Sequence, residues 1–116
     1  MEFKIIMLKR IDKINELIKR QISEIITREL DLKPGVFLTV SRVDTAADFR
    51  YTRIFVSVFP EKDSEYALKT IQNEIYSLQG ILNKKLRMKP LPRIEFKLDA
   101  TEIEADKIEK ILNSFH

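Results

Sequence analysis

The stretch VFLTVSRVDTAADFRYTRIFVSVF, residues 36–59, decides the fold of this chain. Both of its ends, Val36 to Val43 and Tyr51 to Phe59, are rich in β-branched residues, which is typical of strands. Ala46-Ala47-Asp48 lies between them as a turn. In the second segment Ile54, Val56 and Val58 fall on one face of the strand, and Arg53, Phe55 and Ser57 alternate with them on the other. The sequence therefore predicts an antiparallel hairpin with one buried face.

A long amphipathic helix is predicted before the hairpin. Leu8 to Leu30 carries apolar residues at helical spacing along one stripe, with charged residues on the opposite face. Lys33-Pro34-Gly35 is expected to stop this helix, because proline disfavours helical geometry in the residue before it.

A second long helix is predicted after the hairpin. Its apolar stripe runs from Leu68 to Leu86, and Pro90 and Pro92 close it. Asp63 or Ser64 is the expected N-cap, since either side chain can accept a bond from a free backbone N–H.

Two further elements complete the chain. Arg93 to Leu98 alternates as a third strand, and Thr101 to Leu112 reads as a short acidic helix with Thr101 and Glu104 in a capping box. The order predicts an α+β fold in which the helices cover one face of a three-stranded mixed sheet. The expected core is Ile14, Ile18, Ile25, Val40, Ile54, Val56, Leu68, Ile71, Ile75, Leu82, Ile94 and Phe96.

Composition excludes most catalytic classes. The chain has 116 residues, which is enough for one domain, and it contains no cysteine. The single histidine is the last residue, His116, and carboxylates such as Asp44, Asp48 and Asp99 show no spacing to a histidine, lysine or metal-ligand set. Two isolated glycines cannot build a phosphate-binding loop. We expect no enzyme activity, no cofactor and no metal.

The amino terminus predicts a cytoplasmic protein. Residues 1–9 read MEFKIIMLK, so the apolar run is only four residues long before a charge. That run is too short for a signal-peptide core or a membrane span. We expect no membrane contact.

Positive charge is concentrated in one segment. The net charge is +3, and residues 99–116 are acidic. The densest basic segment runs from Lys84 to Lys97, with six cations against the lone carboxylate of Glu95. Such a stripe can neutralise phosphates, but charge alone favours a solvated helix end with ordinary surface lysines.

The order of elements is that of a type II KH domain, and the motifs resemble one family. Leu38 to Val58 resembles the signature of ribosome-binding factor A across its first two strands. Leu86 to Phe96 resembles that family's Leu-Arg-Leu-Arg run, and Arg10-Ile11 opens a similar first helix. Ala100 to Leu112 stands where the family has its closing segment. The resemblance implies a single KH-like ribosome-binding domain over residues 1–116, with residues 1–8 as an N-terminal extension and residues 99–116 as an acidic C-terminal helix.

The chain departs from the family at the bend of the second long helix. Family members bend there at an Ala-x-Gly motif followed by an aromatic residue and an arginine. Here Glu74-Ile75-Tyr76 occupies the motif, Gln79 stands in place of the arginine, and Gly80 comes four residues late. We predict a break between Ser77 and Gly80, with a straighter helix as the alternative. Asp31 to Gly35 also replaces the family's Asp-Pro-Arg.

The resemblance implies a non-enzymatic role in ribosome biogenesis. It implies a monomer that binds the immature small ribosomal subunit and its rRNA, aids late rRNA processing and blocks premature translation initiation. Departure when a maturation GTPase or an initiation factor acts, and a role in cold adaptation, are implied as well. The alternative is a protein–protein interaction module on the same fold without direct RNA binding.

The RNA contacts are expected from side-chain charge, because the chain lacks the paired glycines of a Gly-x-x-Gly loop. The first predicted set is Lys84, Lys85, Arg87 and Lys89, although cations at a helix end need no ligand. The second is Lys9, Arg10, Lys13 and Arg20, which pairing with Glu16 and Glu24 would equally explain.

The hairpin supplies the remaining predicted residues. Arg50 and Arg53 lie near its turn, where they can reach RNA or stand as ordinary residues of a solvated sheet face. Tyr51, Phe55 and Phe59 share one face of the second strand. Stacking on bases is one interpretation of these aromatics, and cross-strand packing with Phe37 is the one we favour.

Overall fold

The computed structural model describes residues 2–87 and 91–100. Its elements are α1 (Glu2–Glu29), β1 (Phe37–Thr45), β2 (Tyr51–Phe59), a single 3-10 turn (Glu61–Asp63), α2 (Ser64–Asn73), α3 (Ile75–Leu86) and β3 (Arg93–Leu98). The predicted bounds of β2 and β3 are confirmed. The predicted C-terminal helix and Lys89 lie outside the described residues.

The sheet is mixed, as predicted, with β2 in the centre. β1 pairs antiparallel with β2 from Phe37 opposite Phe59, and β3 pairs parallel with β2 from Arg93 beside Tyr51. A bulge at Ser41 shifts the register of β1. The Ser41 hydroxyl donates toward Asp99 Oδ2 at 2.7 Å and lies 3.1 Å from the carbonyl oxygen of Phe55. These contacts link both outer strands across β2.

Burial confirms the predicted strand register. Ile54 and Val56 are fully buried, whereas Arg53 is exposed and Phe55 is half-buried. Because side chains alternate along a strand, one face of the sheet packs on the helices and the other is open among the described residues.

The core forms between this sheet face and the helices. All the predicted core residues belong to it, with Ile14, Leu68 and Ile75 only partly buried against its edge. Ile22, Ile26 and Leu78 are also buried in the core. The packing of helices on the sheet is therefore the arrangement that the apolar stripes predict.

The first helix starts and ends earlier than predicted. It begins at Glu2, so residues 2–8 are its first turns, and it ends at Glu29, ahead of Lys33-Pro34-Gly35. Its last backbone bond runs from Leu30 N–H to Ile26 O at 2.9 Å. With 28 residues, α1 is about 42 Å long. Neither α1 nor the shorter helices α2 and α3 combine the length and the apolar character that a membrane-crossing helix needs.

A polar cluster fixes the segment between α1 and β1. Lys33 Nζ lies 2.7 Å from Asp63 Oδ1, and the Lys33 backbone N–H donates to the hydroxyl of Tyr66 at 3.0 Å. The hydrogen bond to Asp63 raises the pKa of Lys33 above its ordinary value. Asp63 does not use its side chain to cap α2, and Ser64 donates instead to Glu61 O at 2.7 Å. Asp63 is thus the N-cap residue, as predicted, but the predicted side-chain hydrogen bond is wrong, because the Asp63 carboxylate binds Lys33 instead.

The second long helix breaks at Glu74, so the predicted break between Ser77 and Gly80 is wrong. Glu74 has φ −96° and ψ 5°, and its N–H bonds to Ile71 O at 3.1 Å. The break lets α2 pack over β2 and β3 while α3 packs on α1 and β3. Tertiary packing therefore interrupts the helix at Glu74, which stands where the family has the alanine of its Ala-x-Gly motif, although this chain has no glycine in that motif.

Replacing Gly80 with alanine is expected to stabilise the protein by about 0.5–1 kcal/mol. Gly80 is an exposed residue inside α3, its φ is not positive, and an added Cβ would meet nothing within 4 Å. Urea unfolding followed by circular dichroism measures the change. Gly35→Ala is the control and should destabilise the protein, because Gly35 has φ +86°. A loss of stability in Gly80→Ala would mean that the chain does bend at this residue.

Candidate nucleic-acid interface

The end of α3 presents a cluster of cations. Leu82 is fully buried and Leu86 is partly buried against the core, so the positions around them face solvent. Lys84 and Lys85 in the last turn are exposed, as is Arg87, which caps the helix in a left-handed conformation with φ 49°. Because the apolar residues of α3 face the core, the predicted cations Lys84, Lys85 and Arg87 all face solvent at the end of the helix.

These cations have no ionic partner among residues 2–87 and 91–100. The salt bridges found there join Arg28 to Glu29, Lys33 to Asp63 and Arg50 to Asp48. The carboxyl end of a helix carries a partial negative charge, which favours cations in its last turn. That effect accounts for part of the placement of Lys84 and Lys85, and it leaves their charges available to a phosphate.

The second predicted cluster lies on α1. Lys9, Arg10, Lys13 and Arg20 are all exposed. The alternative interpretation paired these cations with Glu16 and Glu24, but neither carboxylate is within salt-bridge distance of a cation in the described structure. The α1 cluster therefore faces solvent, and its role stays a prediction.

Three arginines meet at one end of the sheet. Arg50 lies in the hairpin turn, and its carbonyl oxygen accepts a 2.9 Å bond from Arg93 N–H at the start of β3. Arg53 follows on β2 and is exposed. Arg50 also contacts Asp48 at 3.8 Å, a weak surface pair that leaves most of the side chain in solvent. The hairpin thus brings the predicted Arg50 and Arg53 next to Arg93.

The connection from α3 to β3 joins this arginine group to the α3 cluster. Arg87 begins the connection and Arg93 ends it, so their Cα atoms lie no more than about 21 Å apart. Basic side chains therefore stand at both ends of this short connection, at the end of α3 and at the hairpin end of the sheet. The α1 cluster is a separate part of the sequence, on the helix that packs on α3 and β1.

An open groove of about 480 Å³ lies between α3 and the outer edge of β3. Tyr76, Asn83, Leu91 and Arg93 are among its lining residues, and Tyr76 is 92% exposed. Gln79 crosses the groove floor. Its Oε1 accepts a 2.8 Å bond from Ile94 N–H, and its Nε2 donates to Pro92 O at 3.2 Å. The residue in place of the family's arginine thus satisfies the unpaired edge of β3.

Replacing Gln79 with alanine is expected to destabilise the protein by about 1–2 kcal/mol, because it leaves partly buried backbone groups of the β3 edge without their partner. The amide of Ile94 should also exchange with solvent faster, which hydrogen-exchange NMR measures. Gln72→Ala, an exposed glutamine on α2, is the matched control. Equal stability of the two variants would show that water replaces the Gln79 bonds.

The sequence prediction undervalued the open face of the sheet. Phe37, Tyr51 and Phe59 are exposed there, and the Arg42 guanidinium lies 3.8 Å from the ring centroid of Phe55. The period-two pattern of β2 was a signal for this face. Which residues of β3 lie beside these β2 side chains depends on the parallel β2–β3 register, and the sequence alone does not predict that register. The described residues contain no group of three or more side chains able to hold a metal ion.

Comparison with known proteins identifies consistent similarities. The family model of ribosome-binding factor A matches residues 10–112. Ribosome-binding factor A of Natranaerobius thermophilus is 32% identical over 108 residues, covering 92% of this chain and 82% of that protein. The crystal structure of ribosome-binding factor A from Thermus thermophilus superposes with a TM-score of 0.66 at 29% identity, over 76% of this chain and 94% of that one.

A second Thermus thermophilus comparison concerns a complex. A homology model of that organism's factor, fitted into a cryo-electron microscopy map of its complex with the 30S subunit, gives a TM-score of 0.61 at 28% identity. The match covers 73% of this chain and 90% of the fitted one. The similar protein is thus one that has been placed on a small ribosomal subunit.

Proposed function

The chain belongs to the ribosome-binding factor A family, and we propose that it is a factor that binds the small ribosomal subunit through its ribosomal RNA. The complex of the Thermus thermophilus relative with the 30S subunit supports the choice of subunit. The single observation that carries the RNA contact is the exposed, unpaired cluster of Lys84, Lys85 and Arg87 at the end of α3.

The physical basis of this binding is phosphate neutralisation. A chain whose described glycines are Gly35 and Gly80 has no close glycine pair through which backbone could approach phosphates. Exposed lysines and arginines do not need such an approach, because their long side chains reach the phosphates and release condensed counterions. We propose that the hairpin arginines, which the Arg93 N–H to Arg50 O bond holds at one end of the sheet, add further phosphate contacts.

The proposed role on the subunit is assembly rather than catalysis. By family resemblance, the protein binds the immature small subunit around the decoding centre and neck. There it holds an unfinished rRNA conformation, aids late rRNA processing and blocks premature initiation. A monomer in the cytoplasm suits this role, and release would follow the action of a maturation GTPase or an initiation factor. Cold growth should depend most on it, because misfolded RNA helices rearrange more slowly in the cold.

Filter binding of the purified protein to purified small and large ribosomal subunits tests the proposal. Affinity for the small subunit should exceed that for the large one and should fall steeply as salt rises, because phosphate contacts release counterions. A protein–protein interaction module without RNA contacts would respond little to salt. Affinity for the small subunit that is insensitive to salt would contradict binding through RNA.

A further inference from the structure

The open face of the sheet exposes aromatic rings that nothing in the described structure covers. Phe59 is 70% exposed, Phe37 is 64% exposed and Tyr51 is 45% exposed. Phe37 and Phe59 lie directly opposite each other in the β1–β2 register, yet this cross-strand pairing leaves most of both rings in solvent. Cross-strand packing therefore does not explain why large aromatic residues occupy these positions. Exposed aromatic rings along one sheet face, two of them side by side, are typical of an interaction surface.

The same face already holds a planar cation against a ring. The Arg42 guanidinium lies over Phe55, 3.8 Å from the ring centroid, and Arg42 itself is exposed. Such stacking is favourable because the ring face is electron-rich. Nucleobases stack on aromatic side chains and on arginine planes in the same manner. The layer formed by Arg42 and Phe55 thus offers a flat surface between the exposed rings at the two ends of β2.

Positive charges alternate with these rings. The parallel register places Arg93 beside Tyr51 and Lys97 beside Phe55, and Arg53 lies between them on the central strand. Asp44 and Glu95, the register partners of Arg53, are acidic residues of this face, and Asp99 lies beside Ser41 at the end of β3. Neither Asp44 nor Glu95 forms a salt bridge among the described residues. Cations therefore outnumber carboxylates on this face, which favours a polyanion over a basic or an uncharged partner, and the exposed rings favour a polyanion that carries bases.

From these observations we propose that the open face of the sheet is a second RNA-binding surface, one that takes single-stranded RNA by stacking its bases on Tyr51, Phe37 and Phe59. The proposal rests on the proposed function, in which the chain binds ribosomal RNA, and it names the form of RNA that this face recognises. From Tyr51 to Phe59 the central strand is about 26 Å long, which gives room for a strand of a few nucleotides. Bases in a duplex are already stacked on one another, so the rings select unpaired segments.

Fluorescence anisotropy of the full-length protein with labelled RNA tests this surface. The probes are a single-stranded RNA of about 10 nucleotides and a blunt-ended RNA duplex of about 10 base pairs, whose bases are all paired. Phe37→Ser/Phe59→Ser and Tyr51→Ser should each lower the affinity for the single strand at least about fivefold, since one stacked ring contributes that much or more. Affinity for the duplex and the salt slope of binding should stay unchanged, because no charge is removed.

The matched control is Tyr66→Ser, which removes a partly exposed aromatic ring on α2, the helix that packs on the other face of the sheet. It should bind the single strand as the wild type does. A positive readout comes from Phe59→Trp. The chain contains no tryptophan, so the fluorescence of this variant reports on position 59 alone, and single-stranded RNA should quench it. Circular dichroism confirms that each variant is folded.

The outcomes separate this inference from the proposed function. Serine variants that bind the single strand with wild-type affinity would overturn the stacking surface. A reduced salt slope in Lys84→Ala/Lys85→Ala would in that case still support the proposed function, in which phosphate contacts drive binding. Serine variants that lose small-subunit binding but keep single-stranded RNA would show that the face contacts a ribosomal protein, which also overturns the proposal. A wild-type protein that binds neither RNA probe nor small subunits would contradict the proposed function itself.

Discussion

Replacing Lys84 and Lys85 together with alanine is expected to weaken binding to the small ribosomal subunit by roughly 10- to 100-fold at ~0.1 M salt. Both lysines are exposed in the last turn of α3, and neither has a carboxylate partner in the part of the chain that the structure describes. Each lost phosphate contact should reduce the slope of log affinity against log salt by about 0.7 to 0.9, so the pair should reduce it by roughly 1 to 2. Filter binding at several salt concentrations measures both quantities.

Lys62→Ala/Lys69→Ala is the matched control for this variant. These lysines are exposed on the 3-10 turn and on α2, outside the predicted RNA-binding clusters. The control should keep the wild-type salt slope, and both variants should stay folded because exposed substitutions usually change stability by less than about 0.5 kcal/mol. A normal slope in the Lys84/Lys85 variant, together with a reduced slope in the control, would place the RNA on the opposite side of the molecule.

Replacing Ile54 with alanine should reduce the free energy of unfolding by about 2–5 kcal/mol. Ile54 is fully buried in the central strand, where its register neighbours are Val43 on β1 and Phe96 on β3. The shortened side chain leaves a cavity that the helices and both outer strands cannot collapse to fill. This loss is a large part of the roughly 5–15 kcal/mol that stabilises a typical domain, and urea unfolding measures it.

Arg53→Ala is the control for the buried position. Arg53 neighbours Ile54 in sequence but faces solvent on the other side of the sheet. Its replacement should change stability by less than about 0.5 kcal/mol. A larger loss in Arg53→Ala than in Ile54→Ala would mean that β2 faces the opposite way, since a shift of one residue exchanges the two faces of a strand.

The strands were predictable because a period of two residues is a direct record of which side chains are buried. Buried and exposed positions alternate clearly in Tyr51–Phe59 and in Arg93–Leu98. The structure confirms the predicted bounds and the predicted buried faces of both strands. The helical stripes likewise predicted which residues of α1, α2 and α3 pack on the sheet. The spacing of apolar residues predicted these elements because it depends on which side chains are buried and not on which other element they pack against.

The errors lie where long-range packing decides the local geometry. The break at Glu74 follows from the separate packing of α2 and α3, and the flexibility of Gly80 had no part in it. The Asp63 carboxylate binds Lys33, a residue 30 positions earlier in the chain, and so makes no capping bond to α2. The residues next to Glu74 in the sequence do not show where α2 and α3 pack, and those next to Asp63 do not show that it binds Lys33.

The candidate site was only partly predictable for the same reason. The cations at the end of α3 stand close together in sequence, so their density predicted a cluster. The open face draws Arg42, Tyr51 and Lys97 from three different strands, and only the sheet register brings them together. Aromatic residues such as Phe37 looked like cross-strand packing in the sequence, while their exposure in the structure assigns them to a surface.

Sedimentation of the tagged protein in a cell lysate tests most directly whether this chain acts on the small ribosomal subunit. We expect it to migrate with free small subunits in a low-salt sucrose gradient, to be absent from translating ribosomes, and to leave the small subunits as salt is raised. Migration at the top of the gradient with free proteins at low salt would contradict a small-subunit factor. Migration with translating ribosomes would contradict a role before initiation.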